Sequence, residues 1–275
     1  MSRTPLSSRN HGVTFLALVW VIGSLIYFYS QPLVSQPPQP RIEFWKSVPL
    51  LLSDLLPGAP VTDEISSGWE FFPQRFDLLL FAGLILCGSW GLGGVVLRST
   101  KLVEETSSLE RNLLAIAGGL SLLSLLVLGS GLIGFLSRTL FLTLLIVPAI
   151  LEMVFCFKQR VPRERSGKRV FLPFDRAGFV FIAGCFLLAM LLGAMLPPTD
   201  FDVKEYHLEG PKEWFQAGEI SLLSHNVYTS FPFLTEMLSL LGMIVHGDWY
   251  RGALVGKVVL MSCAPLTAGA LFCLG

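Results

Sequence analysis

The chain has 275 residues, 52% of them hydrophobic and only 15% charged, with a mean hydropathy of +0.64. That composition excludes an ordinary soluble domain and makes the lipid bilayer the first expected partner. Twenty Lys and Arg balance twenty Asp and Glu, so no basic excess recommends a nucleic-acid partner.

The apolar residues are gathered into runs, and about eighteen residues at 1.5 Å each cross a hydrocarbon core of roughly 30 Å. Val13 to Ser30 is the first such run. It is too long for a cleaved signal peptide and ends in Tyr27, Phe28 and Tyr29 rather than in small residues, so it reads as a retained signal-anchor. Residues 31–76 follow as an outer loop. Its proline-rich start (QPLVSQPPQPR) is expected to be extended, and FWKSVPLLLSDLL to lie along the interface with Trp45 at headgroup level.

Further spans are expected at Leu78 to Leu97, Leu113 to Leu136, Leu140 to Phe157, Gly178 to Leu196 and Ala253 to Leu274. Phe231 to Val245 is shorter and suits a tilted span, an interfacial helix or a re-entrant piece; counting it as a span closes the topology at seven. The fold class expected is therefore all-α, a polytopic helix bundle with a short outer-face helix after the fifth span. The glycines of GSWGLGG (Gly88 to Gly94) and of GSGLIG (Gly129, Gly131, Gly134) lie inside spans with no strand before them, which points to close helix packing rather than phosphate binding. All five cysteines fall within apolar runs without CxxC spacing and read as small hydrophobes.

Orientation follows from KQRVPRERSGKRVFLPFDR, Lys158 to Arg176, where seven basic residues face two acids. The positive-inside rule places this loop in the cytoplasm, and alternation puts the N-terminus and Arg251 there too. The loop could also attract anionic headgroups. Glu152 is expected near the inner interface and hydrated, and Lys257 is expected to snorkel inward, whereas Glu236 lies one turn inside a span and should face a polar cavity or the bundle interior. Three regions result: an N-terminal transmembrane part (1–160), a basic cytoplasmic loop (161–177), and a second transmembrane module (178–275) with an acidic outer loop (197–230).

That loop begins LPPTDFDVKEYHLEGPKEWFQAGEI. Helix formation after Pro198 would make Thr199 an N-cap and Asp202 the third helical residue, an [ST]xx[DE] capping pattern that needs no catalysis. Asp202 would share a face with Glu205, Tyr206 and Glu209. Alternatively, a carboxylate at the mouth of a span suits glycosyl transfer from a lipid-phosphate sugar: the acceptor hydroxyl needs a base, the oxocarbenium-like transition state gains from negative charge, and the donor tail stays in lipid.

PPTDFDVKEYHLEGPKEWFQAGEI, followed by VYTSFPFLTEMLSLLGMIVHGD, resembles the opening of the polytopic GT-C glycosyltransferases related to dolichyl-phosphate-mannose mannosyltransferases, over about residues 175 to 275. The resemblance implies that Asp202 is the catalytic base and that Asp200, Glu205, Tyr206, His207, Lys212 and Glu236 contact or shape the substrate site. It implies a polyprenyl-phosphate sugar as donor and a bacterial inner membrane with the N-terminus cytoplasmic. The family places this motif after its first span and continues through several spans more, so residues 1–160 read as an addition and the chain as an N-terminal part. No cofactor is expected, though Asp200, Asp202 and Glu205 could hold a divalent ion. His11, His207, His225 and His246 are too scattered for a zinc site. The alternative is a non-catalytic scaffold that assembles with other membrane subunits. A transporter is disfavoured by the lack of internal repeats.

Overall fold

Long apolar runs that fold as helices satisfy nearly all of their backbone N–H and C=O groups internally, which is the condition for life in hydrocarbon. The computed structural model describes residues 10–33, 39–41, 46, 71–100, 106–158, 174–231 and 233–274. It divides into two compact units, Met1–Gln74 and Arg75–Gly275. The expected interfacial segment around Trp45 and most of the basic loop 161–177 lie outside the described residues.

In the first unit, helix α1 (Asn10–Ser30) is apolar on all sides and exposed almost throughout, as a segment clothed in lipid would be. The chain then makes a two-residue antiparallel pairing, β1 (Pro32–Leu33) with β2 (Gln39–Pro40), and the Arg41 guanidinium sits 4.0 Å over the Phe28 ring.

The second unit is a helical membrane bundle. Its helices are α2 (Phe71–Thr100), α3 (Ser108–Leu132), α4 (Arg138–Lys158), α5 (Phe174–Ala194), α6 (Glu209–Ala217), α7 (Glu236–His246), α8 (Trp249–Met261) and α9 (Cys263–Leu274). Among the described residues, five helical stretches are long and apolar enough to cross a membrane: α1, α2, α3, α4 and the continuous α8–α9 stretch Trp249–Cys273. Two shorter apolar helices, Val180–Ala194 within α5 and Glu236–His246, complete the set.

Glycine decides how closely α2, α3 and α4 approach. Gly88, Gly91 and Gly94 form a stripe on α2 that meets Leu145, the Pro148–Ala149 backbone and Glu152 of α4 in turn, so the two helices run parallel. Gly93 meets the Ala115 carbonyl, and Gly119 of the antiparallel α3 meets the Ser89 carbonyl. A methyl group at any of these points would collide with backbone or with packed side chain, which is the small-residue packing expected for Gly88 to Gly94. The second glycine group behaves differently: Gly129 touches nothing, Gly131 backs onto Ile220, and Gly134 takes φ +72° after the end of α3. Ser107 and Glu110 close a capping box at the start of α3.

Two sequence expectations change here. Glu152 is 5% exposed and is ion-paired to Arg98 of α2, so it is a bundle-interior acid rather than a hydrated one. The run Phe231 to Val245 does not cross. α7 has only 11 residues, about 16 Å of rise. It turns at Gly247 (φ +85°) into α8, whose N-cap Asp248 accepts from the Arg251 N–H at 2.7 Å. Ser239 and Gly242 of α7 lie against Gly256 and Gly252 of α8, backbone to backbone. The tip of this hairpin sits with the starts of α2 and α4. Asp77 accepts from Arg251 (Nε, 2.8 Å; Nη2, 2.5 Å) and from His246 Nε2 (2.9 Å), and Arg138 Nε donates to the Val245 carbonyl at 3.1 Å. α5 also ends at this side, its Met195 carbonyl accepting from Arg75 at 3.2 Å. The stretch from 197 to 246 therefore enters and leaves by one end of the bundle. Arg251 belongs to the Asp77 end and not to the opposite end that alternation assigned it.

Candidate functional site

The connection between α5 and α7 is where the sequence concentrates its polar groups, and it is built around a helical irregularity. After Phe201 and Asp202 the backbone widens into a π-helical turn, Val203–Leu208, before α6 continues. Such turns shift side chains off regular helical spacing and are common at functional positions. Capping falls to Asp200, whose Oδ1 accepts from the N–H groups of Asp202 (3.0 Å) and Val203 (3.3 Å). Thr199 is thus not the cap, and the Asp202 carboxylate, exposed, does no capping.

The π turn projects Tyr206 and His207 toward α7. His207 Nδ1–H donates to Glu236 Oε1 at 2.6 Å, across a sequence separation of 29, with the Glu236 side chain 12% exposed. Aromatic rings wall the pair: Tyr206 contacts His207 (4.4 Å between centroids) and stacks on Tyr228 at 5.0 Å, and Phe233 meets His207 edge-on at 6.1 Å. Partial burial, then the negative charges of Asp202, Asp200 and Glu236 together with Tyr228, raise the Tyr206 phenol above its ordinary pKa. Direct contacts join Tyr206, His207 and Glu236, and Asp200 and Asp202 stand at the start of the turn that carries Tyr206 and His207.

Its supports are local. Asn226 Nδ2 donates to the Glu205 carbonyl at 2.9 Å, Thr229 Oγ1 donates to the Asn226 carbonyl at 2.7 Å, and the 3-10 turn Val227–Ser230 carries Tyr228. Gly210 lets that turn approach, since a Cβ there would sit 2.8 Å from the Thr229 methyl. Buried Trp214 anchors α6 by donating to the Ser221 carbonyl at 2.9 Å. Two of the expected site residues are not brought in. Lys212 is tied to Glu209 at 2.7 Å and lies over the Trp249 ring, and Glu205 contributes its backbone carbonyl while its side chain is exposed. Asp200, Asp202 and Glu205 do not gather as ligands: among the described residues no three His, Cys, Asp or Glu side chains are grouped to hold a metal ion.

Beside the first turn of α7, Leu234, Thr235 and Leu238 line a cavity of about 720 Å³ that runs between α3 and α9, past Leu113, Leu120 and Leu266. Its lining is mostly leucine and alanine, with a few hydroxyl groups and Glu110 among them. A polar, acidic cluster and a hydrocarbon-lined groove thus meet at one helix start, an arrangement that accommodates a ligand with a charged head and an apolar chain. Sequence reasoning missed Asp77, His246 and Arg251, since opposite charges 174 positions apart carry no local signal. No family model, no curated protein and no solved structure matches the chain.

Proposed function

We propose that this membrane protein transfers a sugar from a polyprenyl-phosphate donor to an acceptor hydroxyl at the Asp77 end of the bundle, with Asp202 as the base. One observation carries the reading. Asp200 performs the capping that would otherwise account for the acids, and the exposed Asp202 carboxylate, at the start of the turn that carries Tyr206 and His207, caps nothing. In the step proposed, the acceptor oxygen attacks the sugar C1 as its proton passes to Asp202, and the C1–O bond breaks with its electron pair leaving on the donor phosphate oxygen. Glu236 and Asp200 supply negative charge near the oxocarbenium-like transition state, and the groove beside α7 keeps the donor chain in an apolar setting. The Asp77 end would then be the outer face of a bacterial inner membrane.

The test supplies membranes carrying the protein with radiolabelled polyprenyl-phosphate hexoses and follows label into lipid-extracted and protein fractions. Wild-type protein is expected to deplete one donor and Asp202→Asn to leave it untouched at equal membrane abundance. Transfer by Asp202→Asn at the wild-type rate removes Asp202 from the role. Depletion of no donor by either protein favours a non-catalytic assembly subunit.

A further inference from the structure

α7 and α8 pack as an antiparallel hairpin, and their contacts fix how far along α8 the start of α7 lies. A Cβ on Gly252 would meet the Met243 backbone, and one on Gly256 would meet the Ser239 backbone. The same register, carried to the start of α7, sets Glu236 level with Val259, about 15 Å beyond Trp249 in the apolar stretch Trp249–Cys273. The groove gives that level independently. Leu234 and Thr235 line it together with Leu260 and Cys263 of the α8–α9 stretch, and with Leu120 and Ser121 at the middle of α3. Trp249 and Tyr250, by contrast, lie edge to face beside Asp248 and Arg251, the aromatic and charged composition of a membrane interface. Half of a hydrocarbon core of roughly 30 Å is about 15 Å.

The rest of the connection is held at the level of Glu236. His207 bonds Glu236, Tyr206 lies against His207, and Tyr228 stacks on Tyr206. The turn that carries Tyr228 presents Val227 (68% exposed) and, just after it, Phe231 (59% exposed), with Leu234 exposed beyond them. Single exposed apolar residues on a water-facing loop are ordinary. These three instead lie level with the middle of apolar helices and run, through Leu234, into the groove. Irregular backbone is tolerated at membrane depth where the protein itself meets its polar groups. Here Asn226 and Thr229 are buried, and the N–H groups of Asn226, Thr229 and Phe231 donate to the Leu223, Asn226 and Tyr228 carbonyls at 3.0, 3.1 and 3.2 Å. Glu205 shares the level, since its carbonyl accepts from Asn226, but its exposed carboxylate is a group that hydrocarbon refuses. Lys257 does not snorkel inward; it donates to the Leu196 carbonyl at 2.6 Å, where the connection begins.

We propose that the connection between α5 and α7 is a re-entrant element, inserted from the Asp77 end to the middle of the bilayer. Lipid chains cover Val227, Phe231 and Leu234, while Asp202 and Glu205 face an aqueous cleft open at the Asp77 end. The His207–Glu236 pair, internally matched, stands at the seam between the two. A ligand with an apolar chain therefore reaches the pair sideways out of the bilayer, and a water-borne one reaches it down the cleft. This placement does not rest on sugar transfer.

The experiment puts a nitroxide at one position at a time, through Phe231→Cys, Glu205→Cys or Ile150→Cys, in the full chain with its five native cysteines replaced by alanine, in phosphatidylcholine nanodiscs. Ile150, exposed near the middle of α4, supplies the hydrocarbon reference. Relaxation by oxygen, which dissolves in hydrocarbon, is compared with relaxation by a polar nickel chelate, which stays in water. The oxygen-to-nickel ratio at Phe231 is expected within about twofold of that at Ile150 and at least about tenfold above that at Glu205. Equal ratios at Phe231 and Glu205 overturn the proposal, as does a Phe231 ratio nearer to that of Glu205 than to that of Ile150. Shielding of Phe231 from both reagents would show that protein covers the tip, and overturns the lipid assignment. Should the cysteine-free chain fail to fold, Phe231→Trp in the native chain decides. Phosphatidylcholine brominated near its chain ends should then quench the added fluorescence more than lipid brominated near its headgroup, and the opposite order overturns the proposal. Neither measurement needs turnover, so a chain that transfers no sugar leaves the placement standing, and a tip found in water leaves the Asp202 test as it was.

Discussion

Substituting Gly256 by alanine tests the hairpin that delivers Glu236 to the site. A Cβ at position 256 would lie 2.5 Å from Ser239 Cα, 2.7 Å from its Oγ and 3.0 Å from its Cβ. Carbon atoms rest about 3.5–4.0 Å apart, so α7 and α8 must part by roughly 1 Å along that line. The obstacle is backbone, which cannot swing aside, and overpacking of this kind costs about 1–3 kcal/mol. Alanine returns about 1 kcal/mol in helix propensity. Gly118→Ala in α3 isolates that second effect, because a Cβ at position 118 meets nothing within 4 Å. The propensity gain is common to both, so the two variants should differ by the overpacking cost, about 1–3 kcal/mol, or roughly 2–12 °C in melting temperature for a protein of this size. Thermal unfolding in detergent, followed by tryptophan fluorescence, reads the difference. If Gly256→Ala melts as high as Gly118→Ala, the close crossing of α7 and α8 is wrong, and so is the argument that places Glu236 beside His207.

Asp200→Ala should cost about 1 kcal/mol through loss of its cap, and Asp202→Ala under about 0.5 kcal/mol because its carboxylate caps nothing; denaturation of both variants checks the division of labour. Asp77→Ala removes the acceptor that Arg251 and His246 share, and with side chains 30% and 44% exposed for Asp77 and Arg251 the loss should be about 1 kcal/mol. In a double-mutant cycle Arg251→Ala should then add little to Asp77→Ala, and full additivity would dissolve the pair. The Tyr206 phenol should ionise above its ordinary value of about 10, seen as the absorbance change at high pH that Tyr206→Phe removes. The folded chain holds this proton at pH values where the unfolded chain has released it, so the stability it contributes is complete below about 10 and is lost as pH rises through the folded value.

The fold class was legible because hydropathy and length are local quantities: Leu113 to Leu136 and Leu140 to Phe157 need only be long and apolar to be recognised. The GSWGLGG glycines were legible for a related reason, since small residues in a span have few uses besides close approach. What escaped was pairing. Glu152 finds Arg98 and Asp77 finds Arg251 only after helices pack, and counting charges by loop assigned Arg251 to an end where its partner is not. The run Phe231 to Val245 has the apolar content of a short span, and only contacts at both of its ends show that it turns back. In the acidic stretch the residue types pointed to a site, but the capping pattern read one residue early: Asp200 displaced Thr199 because its own carboxylate reaches the free N–H groups of Asp202 and Val203. The π turn has no sequence signature, and it is what sets His207 against Glu236.

The short α7 also dictates an order of assembly. An 11-residue helix without a membrane crossing of its own has to be held by α3 on one side and α8 on the other. While the chain emerges from the ribosome, α2 to α5 can each settle in the bilayer as they appear, yet the Glu236 segment gains its second support only once Trp249 to Met261 has followed it. Until then the Tyr206–His207 surface has no acid to close against. The polar site thus matures only once α8 has been made, and synthesis that stalls between Glu236 and Gly256 would leave the earlier helices inserted around an unformed centre.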